Sequence, residues 1–410
     1  MAAGVFTGDV NHPMSTISAH SPAVLDGLNI PAASRPLSAV GAARRFVWTA
    51  VMAYVSSLAL LAAFSIYVNP WGNYGESGFL DPHEYNDRLV KAKHLDALPV
   101  NQRPQVLMLG SSSMMSMRGR DIARATRRTA FNCNVSGGQA DDHLCILRHL
   151  VDDLNYRPEL LIVGVETWTF GPPAENDAVI PGARRVLLNV PQWIRHHPYG
   201  QWYRRAWAKM VDCFSRDHLS ASWRVLFKLD LTRRSLDALG TGIVSADGSL
   251  VYSDHDSMKL GGVSHTLAGL RQHGVTKLLE QIRDGRTTDR LERLRYYRFD
   301  GLWSPRVERF TEFLRVCQRE GIKVLLVRTP LHPLAWEMLA DDQGHARNVA
   351  ELARLTDKWQ REFPVLFGIV DASHVEYYGG DPDDFYDEMH CGPENSKRIL
   401  AQVAAFLESR

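Results

Sequence analysis

The longest apolar run in the chain is FVWTAVMAYVSSLALLAAFSIYV, from Phe46 to Val68. It holds no charged residue over about 23 positions, enough for a helix to cross a bilayer core. Trp48, Tyr67 and Trp71 lie near its ends, where amphipathic rings favour the membrane interface. A buried core helix rarely runs so long without a charge, and a cleaved signal peptide has a shorter apolar run closer to the first residue. The pattern predicts one transmembrane helix over 46–68. Arg35, Arg44 and Arg45 precede it, whereas NPWGNYGESGFLDPHEYND after it reaches Arg88 without a Lys or Arg. Positive flanks stay in the cytoplasm. The expected protein is therefore single-pass in a bacterial inner (cytoplasmic) membrane, with its N-terminus cytoplasmic and the rest periplasmic or extracellular.

A different pattern follows, of short apolar runs separated by segments with helical spacing. VLMLG from Val106, FNCNV from Phe131, ELLIVGVE from Glu159, KVLLVRT from Lys323 and LFGIVDA from Leu366 read as buried strands. Such continuous runs suit a parallel sheet covered on both faces. Between them, residues 142–154 place Leu144, Leu147, Leu150 and Val151 at helical spacing, and 307–320 and 346–363 read the same way. Pro393 opens a last helix, SKRILAQVAAFLES. The alternation predicts an α/β fold with a doubly wound, flavodoxin-like parallel sheet over 103–410. Residues 172–300 break the rhythm. They are rich in Trp, Arg and His, contain DGSLVYSD and LGGVSHTLAGL, and read as a large insertion beside the sheet, a cap over a site. Residues 69–102 read as a linker and lead-in segment. Residues 1–43, rich in Ala, Ser, Pro and Gly, bury too little apolar surface to offset their ordering entropy and read as a disordered cytoplasmic tail.

Composition adds exclusions. The chain has 410 residues, 45% hydrophobic and 23% charged, with a net charge of +1. That balance excludes a wholly disordered chain and lacks the basic footprint of a nucleic-acid partner. Cys133, Cys145, Cys213, Cys317 and Cys391 show no CxxC spacing, so neither a metal nor a cofactor motif is indicated. Outside the cytoplasm some of the five could pair, and at least one would stay free.

In an open α/β sheet the chemistry sits past the carboxyl ends of the strands. Gly110-Ser111-Ser112-Ser113 follows the first strand. A serine there is either an exposed nucleophile or an ordinary helix cap. Asn132-Cys133-Asn134-Val135-Ser136-Gly137-Gly138 follows the second. Its glycines either free backbone N–H groups for an oxyanion hole or simply form a strand-to-helix turn. DFYDEMHCGPENS precedes the last helix and sets Asp387 three residues before His390. At that spacing a carboxylate can fix the imidazole tautomer and leave the other nitrogen as general base. A surface turn or a metal pair would give the same spacing.

Taken in order, these blocks resemble the SGNH (GDSL-like) hydrolases, over roughly 104–166 and 323–410. The resemblance makes Ser112 the nucleophile, His390 the base and Asp387 its orienter. Gly137 and the Ser112 backbone N–H become the oxyanion donors. Two positions depart from the family pattern. Ser111 replaces an aspartate, and GVETW, from Gly164, stands where an asparagine block belongs. Glu166 or Thr167 occupies that place, and an ionised carboxylate cannot donate to an oxyanion. The single anchor and the G-S-S serine resemble a membrane-anchored branch that includes teichoic-acid D-alanylation and alginate O-acetylation proteins. That likeness implies an acylated envelope glycan or acyl donor as partner, beside a membrane-bound acyltransferase or polysaccharide synthesis machinery. Asn134, Glu166, Thr167, Arg328 and His332 are substrate-contact candidates; for Arg328 and His332 a salt bridge or a packed turn are the competing roles. Two functions stay open: a serine esterase or O-acyltransferase, and a non-catalytic glycan-binding or assembly subunit of the same fold.

Overall fold

The computed structural model describes residues 39–69, 74, 87–172, 190, 193, 195–196, 209–227, 243–244, 246–251, 257–260, 263–266, 274–284, 294 and 297–410. The tail expected over 1–43 lies outside these residues up to 38. So do most of the insertion expected at 172–300 and much of the linker expected at 69–102. The chain divides into two units, one ending at Ser57 and the other beginning at Leu58.

Helix α1 (Ala39–Val68) is 30 residues long, about 45 Å at 1.5 Å per residue, and is apolar enough to cross a membrane. Its apolar side chains stay largely exposed, Phe46 at 74% and Leu60 at 71% among them. A water-soluble helix would bury such residues.

From Asp87 onward the chain builds a doubly wound α/β domain. The elements are α2 (Asp87–Ala97), β1 (Val106–Leu109), α3 (Gly119–Thr126), β2 (Ala130–Asn132), α4 (Ala140–Arg148), β3 (Leu160–Val165), α5 (Arg216–Phe227), α6 (Val275–Arg283), α7 (Ser304–Glu320), β4 (Lys323–Arg328), α8 (Pro333–Ala340), α9 (Gln343–Glu362), β5 (Leu366–Asp371) and α10 (Pro393–Glu408). Each of the five apolar runs forms a strand; four are trimmed by one residue at one or both ends, whereas the second strand starts at Ala130 and stops at Asn132, three residues short of Val135. They pair in parallel in the order β2-β1-β3-β4-β5.

Alternate residues of each strand feed two cores, which is why the runs are apolar throughout. Leu107, Leu109, Leu161 and Val163 face a core with α2, α4, α7 and α9. Val106, Met108, Leu160 and Ile162 face the other, with α3, α6, α8 and α10. The order reverses between β1 and β3, and such a switch point opens a crevice at the carboxyl edge of the sheet. All five cysteines are buried free thiols.

One core residue makes stability depend on acid. His143 of α4 is buried, edge-on to Phe310 with ring centroids 6.0 Å apart. Burial pushes its pKa down to about 4, against a smaller opposing pull from Asp142. The folded pKa lies below the unfolded one. The contribution is therefore complete above pH 6.5 and is lost as pH falls through 4. About 3 kcal/mol should disappear between pH 7 and pH 4 on this account. Urea titrations at both pH values should show His143→Leu losing correspondingly less stability than wild type. Equal losses would remove His143 from acid sensitivity.

Candidate active site

Ser112 opens a short 3-10 turn, Ser112–Met114, directly after β1. Ser111 caps that turn in extended backbone, its side chain accepting from the Ser113 N–H. The turn is tied down from the β2 side. Asn132 Nδ2 donates to the carbonyls of Met114 at 3.1 Å and Met117 at 2.7 Å, and Asn134 Nδ2 donates to Met114 at 3.0 Å. Both asparagines are fully buried. Asn134 Oδ1 has no partner among the described residues and lies 2.8 Å from where a Cβ on Gly110 would stand.

The C-terminal block meets the serine from the opposite side. Residues 384–392 form a tight loop before α10, closed by hydrogen bonds Tyr386 N to His390 O and Gly392 N to Asp384 O, both 2.7 Å. Inside it, Asp387 Oδ1 accepts from the backbone N–H groups of Met389 at 2.9 Å and His390 at 2.8 Å. These bonds aim the carboxylate at the His390 ring, whose Nδ1 is 2.7 Å from Asp387 Oδ2. His390 Nε2 is 2.9 Å from Ser112 Oγ. With Nδ1–H donated to Asp387, Nε2 is left to accept from the serine hydroxyl. Ser116 Oγ, 3.3 Å from Cys391 O and 3.2 Å from Ser396 Oγ, ties the serine turn to the start of α10.

Gly137 follows β2 in the left-handed region, φ 59°, where a side chain is unfavourable. A Cβ on Gly138 would lie 2.3 Å from Gly110 O, so the two strand-end loops approach as closely as backbone permits.

Helix α2 holds this loop in place. The Lys91 ammonium, fully buried, donates to Asn134 O. Burial brings its pKa down to about 8, with Asp87 pulling the other way. Asp87 Oδ2 accepts from Ser136 N at 2.6 Å. Arg88 grips Asp142 at 2.9 Å and 3.2 Å. Asp142 in turn accepts from Gln139 N at 3.0 Å, capping α4. Burial raises the Asp142 pKa, but Arg88 and the Gln139 amide together hold it below the usual carboxylate value.

The remaining candidates fall in varied places. Glu166 is near the site: Ser111 Oγ donates to its Oε1 at 2.5 Å and the Tyr297 hydroxyl to its Oε2. Burial first, and Glu166 next, push the Tyr297 hydroxyl well above its ordinary pKa, so it stays a donor. The Thr167 hydroxyl is buried with no partner among the described residues. Arg328, at the end of β4, pairs with Asp371 at 3.0 Å and donates to Thr356 at 3.2 Å. His332 is fully buried. Its Nδ1 caps α8 by accepting from Leu334 N at 3.1 Å, and its N–H donates to Glu388 O at 3.0 Å. Burial pushes its pKa down to about 4. Among the described residues no hydrogen bond joins Arg328 or His332 to Ser112 or His390; His332 instead buttresses the loop that carries His390. Lys91, Arg88, Asp142 and Tyr297 belong to this architecture although their sequence context does not mark them, and Asn132, which opens the second block, anchors the serine turn. The only local signal was the charge cluster Asp87-Arg88-x-x-Lys91, which reads as solvated surface.

No family model matches the chain, and no curated protein matches it in sequence. Among solved structures it is similar to a protein described as an acylhydrolase from Bacteroides fragilis, at 10% identity and a TM-score of 0.33 over 78% of this chain and 94% of that one. It is also similar to a GDSL-like lipase from Bacteroides thetaiotaomicron, at 10% identity and a TM-score of 0.34 over 79% and 98%. Likeness at this level carries no argument about reaction or substrate, which rest on the site itself.

Proposed function

We propose that the chain is a membrane-anchored, extracytoplasmic serine esterase or O-acyltransferase acting on an acylated cell-envelope polysaccharide. The observation that carries this reading is the 2.9 Å contact from His390 Nε2 to Ser112 Oγ, with Asp387 on the other ring nitrogen. Ser112 Oγ attacks the ester carbonyl carbon while its proton passes to His390 Nε2, and Asp387 stabilises the imidazolium. The Ser112 and Gly137 N–H groups hold the tetrahedral oxyanion. Collapse expels the alcohol, which takes the proton from His390 and leaves the acyl group on Ser112. A second hydroxyl, deprotonated by His390, then attacks the acyl-serine carbonyl and restores Ser112. Water in that step makes an esterase, and a sugar hydroxyl makes a transferase. The apolar helix α1 suits work beside a membrane-bound acyltransferase or polysaccharide synthesis machinery.

A second reading, a non-catalytic glycan-binding or assembly subunit, is favoured by Glu166. It stands where the resembled family has an asparagine donor, and its two oxygens already accept from Ser111 and Tyr297. The full chain in lipid nanodiscs, given p-nitrophenyl acetate, separates the two. Release of p-nitrophenol that falls to background in Ser112→Ala supports the enzyme. No turnover by wild type, with glycan binding intact in both proteins, selects the binding subunit.

A further inference from the structure

Helix α5 is built inside out. His218 and Ser222, one turn apart, are both 0% exposed, whereas Trp223 is 55% exposed, Leu226 41% and Phe227 50%. The turn before it continues the pattern, with Met210, Val211 and Phe214 exposed and Asp212 buried. Leu219, Trp223, Leu226 and Phe227 recur at i, i+4, i+7 and i+8, the spacing of an apolar stripe that a water-soluble helix turns inward. Here Trp223, Leu226 and Phe227 face out and Leu219 is half-buried, while His218 and Ser222 face in and only Arg216 and Ser220 among the described polar residues of the helix are exposed.

The polar face has a specific use: it fastens α5 to the last turns of α1. Ser65 Oγ donates to Cys213 O at 2.6 Å. His218 bridges Asp212 Oδ2 at 3.0 Å and Ser65 O at 3.2 Å. The Phe64 ring meets Trp223 edge-on with centroids 6.2 Å apart. Ser65 is three residues from the end of α1, so α5 is clamped within about 5 Å of where the apolar helix ends. Leu60, Ile66 and Tyr67 of α1 are exposed as well, and Phe64 joins the α1 end to the patch through Trp223.

We propose that α5 and the turn before it lie in the bilayer interface beside the end of α1, seating the α/β domain on the membrane surface. The assignment rests on α1 spanning the membrane. Several features select lipid over a protein partner. The patch meets α1 near its end, where Phe64 touches Trp223, and it carries a tryptophan and two phenylalanines, residues that favour the interfacial depth at which amphipathic helices insert. An exposed apolar patch of this kind marks an interaction site rather than ordinary surface.

Spin labels on introduced cysteines test it in the full chain, reconstituted in vesicles of phosphatidylethanolamine and phosphatidylglycerol. The five native thiols are buried, so labelling is directed to the new one. Leu60→Cys reports on the span, Leu226→Cys on the patch, and Tyr377→Cys, at an exposed site of the α/β domain, on water. The expected result is a ratio of oxygen to nickel-chelate accessibility several-fold higher at Leu226→Cys than at Tyr377→Cys, and highest at Leu60→Cys. Leu226→Cys matching Tyr377→Cys while Leu60→Cys stays in lipid overturns the proposal and leaves the span intact. Leu226→Cys shielded from both reagents overturns it in favour of a protein contact. Leu60→Cys in water overturns the span, and the proposal with it.

Discussion

Asp387→Asn should lower kcat about 10⁴-fold, the loss the same exchange causes in Ser-His-Asp proteases, with little change in KM. The reason lies in one hydrogen atom. Asp387 accepts from His390 Nδ1, and this leaves Nε2 free to take the Ser112 proton. An asparagine can turn its NH₂ toward Nδ1, which shifts the ring proton to Nε2. Nε2 then faces Ser112 as a donor, and the serine loses its base. The fold should survive, because the side-chain oxygen of asparagine can still accept from the Met389 and His390 N–H groups that Asp387 now engages. Steady-state kinetics with p-nitrophenyl acetate, alongside circular dichroism, make the measurement. Unchanged kcat in a folded variant would remove Asp387 from the chemistry.

Arg88→Met should destabilise the domain by about 3–5 kcal/mol, the cost of leaving one buried ion without its partner. Arg88 and Asp142 are both buried and joined by two hydrogen bonds, so the orphaned carboxylate cannot recover its solvation. The double variant Arg88→Met/Asp142→Leu should be less destabilised than Arg88→Met alone, since no charge is left stranded. Urea titration followed by tryptophan fluorescence reads both. A double variant as unstable as the sum of the singles would mean the two side chains act independently. Because Asp142 caps α4 directly after the Gly137 loop, Arg88→Met should also impair turnover before it unfolds the protein.

The sheet and the Asp387–His390 spacing are legible in the sequence because their signals are local, whereas Ser112 is picked out from Ser111 and Ser113 only by the family resemblance. A strand buried on both faces needs an apolar side chain at nearly every position, as in LLIVGV of β3. Asp387 and His390 meet through a three-residue spacing that any tight loop makes available. Other features depend on distance along the chain. The strand order follows from crossovers, one of which runs through residues 166–322. Helix α2 falls inside the expected linker and lead-in segment, and its Asp87, Arg88 and Lys91 are residue types that normally mark surface. Only the fold shows that Arg88 and Lys91 are buried against the Gly137 loop. Tyr297 sits in the stretch without periodicity, so nothing in the sequence tied it to Glu166. Arg328 ends β4 and His332 follows it, as expected, but their partners are structural: Asp371 and Thr356 for Arg328, the α8 amide and Glu388 carbonyl for His332.

The sheet order also governs how the molecule comes into being. β3 occupies the middle of the sheet, yet its second neighbour, β4, begins only at Lys323. Until that strand is made, the nascent N-terminal half carries an unpaired central edge of LLIVGV, which favours misassociation. Ser112 and His390 are 278 residues apart, and closing so long a loop comes late in folding. The candidate site is thus assembled only after the last strand and the loop before α10 have docked. A chain truncated before Asp387, or stalled during synthesis, carries Ser112 without His390, so the chemistry proposed for the pair is withheld until the whole domain is made.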